Sequence, residues 1–213
     1  MSFPRFTRFQ LFVHLAALAP LAALIVAALT DNLTVNPIQE ATLRTGKAAM
    51  VLLTASLACT PANTALGFRQ AVKVRRALGL YAFLYAIIHF SIFIGLDYGF
   101  DLRLVGLELA EKRYILVGAA ALLILLPLAV TSTKGWQRRL GQTWKKLHRW
   151  VYLAGVLVIF HYAWVQKSDI REPIVWGAIL GVLLLLRAPA IRKRAASWRG
   201  AIGKPRVSPR QGG

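Results

Sequence analysis

Six apolar runs separated by charged loops constrain this chain more than any other feature. They cover residues 9–29, 46–61, 77–96, 114–130, 150–165 and 173–186. A helix needs ~20 apolar residues to cross the hydrocarbon core of a bilayer. The second and last runs are short and borrow flanking residues. Only 16% of the residues are charged and 57% are hydrophobic, which leaves too little polar surface for a soluble domain of this length. The expected fold is therefore all-α, an integral membrane six-helix bundle over residues 1–187 with a basic tail over 188–213. No stretch remains for a separate soluble catalytic domain of ~100 residues.

Prolines punctuate the runs. Pro61 reads as a stop after the second, Pro173 sits where a first helical turn tolerates proline, and Pro127 is placed to kink the fourth. Arg5 and Arg8 precede the first run in the manner of a signal peptide. That run is too long for a typical signal core and no clear cleavage site follows it, so it reads as an uncleaved anchor.

The net charge is +19, and its distribution argues against nucleic acid. Arg5 and Arg8 lie in the amino-terminal arm. Arg69, Lys73, Arg75 and Arg76 follow the second run. Lys134, Arg138, Arg139, Lys145, Lys146 and Arg149 follow the fourth. Arg187, Arg192, Lys193, Arg194, Arg199, Lys204, Arg206 and Arg210 follow the last. None of these segments holds an acid. Asp31, Glu40, Asp97, Asp101, Glu108, Glu111, Asp169 and Glu172 all lie in the other three loops. Basic flanks face the cytoplasm, so both termini are expected there. The tail reads as a segment that touches anionic lipid and is partly disordered. Trp136, Trp144, Trp150 and Trp164 read as an interfacial aromatic belt. Cys59 is the only cysteine, which excludes an internal disulfide, and a lone cysteine in an apolar helix is ordinarily a packing residue.

The spans hold no mid-depth carboxylate, which argues against a proton-driven transporter. The intramembrane candidates are histidines. His89 on the third span and His161 on the fifth lie toward the outer ends of two spans that run in the same direction. Two imidazoles from different helices can clamp one heme in a bundle core, whereas a single one more often bonds a neighbouring helix. His148, in WKKLHRW, is expected to begin the fifth span. It lies thirteen residues before His161, or about 20 Å along a helix. That separation suits a second, inner heme, and an interfacial residue reading phosphate headgroups is the equal alternative. Opposite it on the third span stands Arg75, an inner-site candidate that is not an ordinary heme ligand. His14, near the inner end of the first span, could ligate the inner heme, touch a quinone or make a helix contact. The helix contact is the favoured reading.

Four segments resemble the MsrQ (YedZ) family. They are TGKAAMVLLTASLACTP from Thr45, RRALGLYAFLYAIIH from Arg75, TSTKGWQRRLGQTWKKLHRWVYLAG from Thr131 and FHYAW from Phe160. The resemblance runs through Arg187. The family is the heme-binding membrane subunit of a periplasmic methionine sulfoxide reductase system, within the ferric reductase and NADPH oxidase transmembrane superfamily. The resemblance implies that His89 and His161 are axial ligands of b-type heme and that His148 is the remaining fifth-helix histidine. Larger members carry a second third-helix histidine where Arg75 stands, so the resemblance implies one heme, with a second in question. Those members also append a flavin and nicotinamide domain, for which the tail is too short. The resemblance therefore implies electrons from the quinone pool, with flavin mononucleotide as a candidate cofactor. It also implies delivery to a molybdenum-containing periplasmic reductase of the MsrP type, and residence in the bacterial inner membrane. A stand-alone ferric or metal reductase and a heme-free scaffold or transporter are the competing expectations.

Overall fold

The computed structural model describes residues 6–166 and 169–188, so the basic tail lies outside the described residues. Every regular element among these residues is helical. The elements are α1 (Arg8–Leu29), α2 (Pro37–Leu66), α3 (Arg69–Ser91), a π-helical turn (Ile92–Asp97), α4 (Leu102–Glu111), α5 (Tyr114–Val130), α6 (Lys134–Leu140), α7 (Gln142–Leu147), α8 (Trp150–Val165) and α9 (Arg171–Leu185).

Local chemistry sets the ends. Thr7 and Gln10 form a reciprocal capping box at the start of α1. Asn36 caps α2 by accepting from the Gln39 amide at 3.1 Å, and Pro37 follows where a missing N–H costs nothing. The Thr34 amide donates to the Glu40 carboxylate at 2.6 Å. Gly67 ends α2 in the left-handed region at φ 72°, a conformation that favours glycine.

Among the described residues, three helices are long and apolar enough to cross a membrane alone: α1, α2, and α3 with its π turn. Helices α4 and α5 reach that length only together, and they meet at 113°. Helices α8 and α9 are apolar but have 16 and 15 residues. Helix α2 packs most extensively along α3, and α5 along α8. The core holds Ala17, Leu53, Leu78, Ala82, Tyr85 and Ala154, which draws α1, α2, α3 and α8 together.

The structure corrects several expectations. Pro61 does not end α2, which continues to Leu66. Its missing N–H would leave the Leu57 carbonyl unpaired, and the Arg187 guanidinium takes that carbonyl at 2.5 Å. His148 does not begin a span. It lies in the turn between α7 and α8, so the distance argument for one continuous helix does not apply. The segment after Asp97 contains α4, capped by Asp101 on the amides of Arg103 and Leu104. The basic segment before His148 contains α6 and α7, broken at Gly141 with φ 49°.

Tyr85 repairs a helix that is not its own. In an unbroken α1, the Leu21 amide would bond the Ala17 carbonyl. The buried Tyr85 hydroxyl from α3 stands between them, accepting from Leu21 at 2.9 Å and donating to Ala17 at 2.8 Å. Tyr85→Phe removes this bridge and should lower stability by about 1–2 kcal/mol. The check is the thermal unfolding midpoint of purified protein in detergent, which should fall without loss of helical circular dichroism.

A paired-histidine centre and a basic inner cavity

His89 on α3 and His161 on α8 come together. Their ring centres lie 6.3 Å apart with the planes at 84°. Each ring is held through Nδ1 by a backbone carbonyl of the helix beside it. His89 bonds Thr42 at 2.8 Å and His161 bonds Tyr114 at 2.7 Å. A carbonyl can only accept, so Nδ1 carries the proton in both rings. That leaves each Nε2 with a bare lone pair, the form a metal-ligating imidazole takes. The separation also fits a shared metal. A metal–nitrogen bond of ~2 Å, with roughly 1 Å from ring nitrogen to ring centre, puts two axial rings about 6 Å apart. The pair can therefore supply two nitrogens to one iron porphyrin.

His148 and Arg75 lie in a second site, a cavity of about 330 Å³. His148 repeats the pattern of the histidine pair. Its Nδ1 bonds the Trp144 carbonyl at 3.1 Å, its ring stacks on Trp144 at 3.9 Å, and its Nε2 is buried without a partner. Arg75, Arg76, Lys145, Arg149 and Arg187 also line this cavity, and none of its lining residues is acidic. Arg75 is partly tied by Thr60 at 3.0 Å. Such a wall suits a ligand with an apolar body and oxyanions at its edge. Arg75 and His89 sit near opposite ends of α3, about 20 Å apart at 1.5 Å per residue. The cavity and the histidine pair thus occupy opposite ends of the bundle.

His14 joins neither site. Its Nδ1 is 2.9 Å from the Tyr81 hydroxyl, and its ring meets Phe6 and Tyr81 edge-on. It makes the helix contact favoured from sequence.

Several residues that build these sites carry no chemistry legible in a motif. Thr42 and Tyr114 act through their carbonyls. In the sequence Arg187 reads only as a topogenic charge. Its Nη1 bonds the Tyr152 hydroxyl at 2.6 Å, its Nη2 bonds Leu57, and its Nε is buried and unpaired on the cavity wall. An arginine immediately after an apolar run, with Pro61 inside another, was the one available signal.

The ion pairs lie at the other end. Arg44 pairs with Glu40, Lys112 with Glu108, and Lys47 with Glu172 at 2.6 Å, the last joining α2 to α9. The cations around the cavity have no acid in their own segments.

Fold and site together define an all-helical, multi-pass membrane protein built around paired histidines. Residues 45–159 match the ferric reductase like transmembrane component. The chain is 43% identical to the protein-methionine-sulfoxide reductase heme-binding subunit MsrQ of Rhodospirillum rubrum, over 87% of this chain and 90% of that protein. It is 45% identical to the subunit of the same name from Deinococcus radiodurans, over 86% of this chain and 92% of that one. The MsrQ of Xanthomonas axonopodis pv. citri is 44% identical over 81% of this chain and 82% of its own length. No solved structure matches. The chain belongs to the MsrQ family of ferric reductase-like transmembrane proteins.

The Arg187 staple is testable as a cycle. Arg187→Ala leaves the Leu57 carbonyl unpaired and should cost about 1–3 kcal/mol. Pro61→Ala restores an N–H to that carbonyl, so the double variant should lose less than the two single losses combined. Thermal or denaturant unfolding in detergent measures the coupling, and strict additivity would refute the shared carbonyl.

Proposed function

We propose that this chain is the electron-transfer subunit of a methionine sulfoxide reductase system. It passes electrons from the quinone pool, through b-type heme, to a periplasmic molybdenum-containing reductase of the MsrP type. The observation that carries the reading is the pairing of His89 and His161 with both Nδ1 protons given to backbone carbonyls. Bound heme supplies a one-electron carrier. The protein holds two neutral imidazoles in one tautomer, surrounds them with helices that exclude water, and sets their basicity through the two carbonyls. Relatives named as heme-binding subunits, matched over most of their length, support the same assignment.

The proposed topology is six spans in the bacterial inner membrane with both termini cytoplasmic. The one-sided distribution of acids and of unpaired cations supports it. The six are α1, α2, α3, α5, α8 and α9, with α4 on the outer surface. At 1.5 Å per residue α8 reaches about 24 Å. That is short of the ~30 Å core, and the deficit is met by local thinning and flanking residues. Residues 1–187 form this membrane domain, and 188–213 form a cytoplasmic tail that touches anionic lipid.

The histidine pair then faces the periplasmic acceptor, and the basic cavity lies on the donor side. His148, with Arg75 beside it, is the inner cofactor site. Its orphaned Nε2 and five cations suit a second heme, with propionates on the arginines, or the phosphate of flavin mononucleotide. A cofactor held there would receive electrons on the donor side, and the outer pair would hold the carrier nearest the acceptor.

Purified protein should show a Soret band that shifts on reduction. His89→Ala and His161→Ala should each remove most of it, and His148→Ala should affect only a second, inner component. A reduced-minus-oxidised spectrum with a heme-to-protein ratio decides this. Full heme in both outer variants would refute the ligand pair.

A further inference from the structure

Gly46 on α2 and Gly118 on α5 occupy matching places against the two histidines. Each lies one helical turn beyond the residue whose carbonyl holds a ring: Thr42 then Gly46 for His89, Tyr114 then Gly118 for His161. In both halves the histidine follows its carbonyl partner by 47 residues. A methyl group at Gly46 would lie 3.0 Å from Cε1 and Nδ1 of His89. At Gly118 it would lie 2.9 Å from Cε1 and Nδ1 of His161. Carbon atoms pack at ~3.5–4.0 Å, so neither site admits a Cβ without moving the ring. Neither glycine has a positive φ, so close approach rather than backbone freedom explains it. Gly95 in the π turn approaches a ring as closely, that of Phe100 at 2.9 Å, but no histidine, and other helical glycines are looser. Gly106 and Gly181 have nothing within 4 Å of a built Cβ.

We propose that Gly46 and Gly118 are paired positioning residues for the axial histidines. Each gives one edge of an imidazole a seat on helix backbone, so that the ring reaches its carbonyl in one rotation only. Together the seats hold the two ring planes crossed, at 84°. This rests on His89 and His161 being the axial ligands. Two consequences follow from ligand chemistry. Crossed axial planes leave the iron dπ orbitals nearly degenerate and give a highly anisotropic low-spin ferric resonance, whereas parallel planes give a rhombic one. A bond from Nδ1–H to a carbonyl makes the imidazole a stronger donor, which favours ferric iron and lowers the reduction potential. Unseating a ring therefore turns the resonance toward rhombic and raises the potential.

The test uses the full chain loaded with heme in detergent, with low-temperature electron paramagnetic resonance and a redox titration followed at the Soret band. The wild type should give the highly anisotropic signal. Gly46→Ala and Gly118→Ala should each shift it toward rhombic and titrate at higher potential, or lose heme while remaining helical and monodisperse. Gly181→Ala should match the wild type. Alanine variants with wild-type resonance and potential would overturn the proposal. Where an alanine variant does not assemble, the wild-type signal decides, because a rhombic resonance there overturns the crossed arrangement. Full heme in His89→Ala and His161→Ala would instead sink the ligand assignment itself, whatever the glycine variants do.

Discussion

The bonds from His89 to the Thr42 carbonyl and from His161 to the Tyr114 carbonyl organise the paired-histidine end of this protein. Each ties a histidine to the helix that packs most closely against its own, α3 to α2 and α8 to α5. Each also fixes a tautomer, because a carbonyl cannot donate. Helix pairing and metal-ligating capacity are therefore set by the same two contacts. In a low-dielectric interior an unpaired ring N–H would be costly, so these bonds also limit how the helix pairs can slide.

Elsewhere the bundle relies on a different device. Pro61 and Tyr85 mark places where a helix does not complete its own hydrogen-bond ladder, and a neighbouring element supplies what is missing. Arg187 takes the carbonyl left by Pro61, and the Tyr85 hydroxyl bridges the Ala17 and Leu21 backbone groups. Lipid offers no replacement partners, so such gaps persist only where another helix fills them. The repairs tie α9 to α2 and α3 to α1. They also deliver a guanidinium to the cavity that holds His148. Cations gathered there without acids leave an electrostatic demand that an anionic cofactor edge would meet.

The sequence already carried the helical class, the apolar segments and the four histidines. The limits of α5 and α8 coincide with their apolar runs, because each run is bounded by charge on both sides. Helix α2 extends past its apolar run at both ends, since hydropathy registers apolar length rather than hydrogen-bonded length and Pro61 reads as a terminus. Helix α4 has no apolar run of spanning length, and its signal is Asp101 before an apolar turn. Helix α8 stops short of His148, because a two-residue turn inside a basic, aromatic stretch leaves no mark on composition.

What the sequence determined by itself was a membrane-embedded, all-helical chain with charge-sorted loops and histidines at matched depth, since bilayer thickness and the cost of burying charge act on local composition. Only the tertiary structure decided which nitrogen of each histidine is free and that Gly46 and Gly118 are the seats of the rings. It alone also placed Arg187 at the basic cavity. Those features depend on contacts between residues far apart in the chain, and no local pattern fixes the rotation of one helix against another.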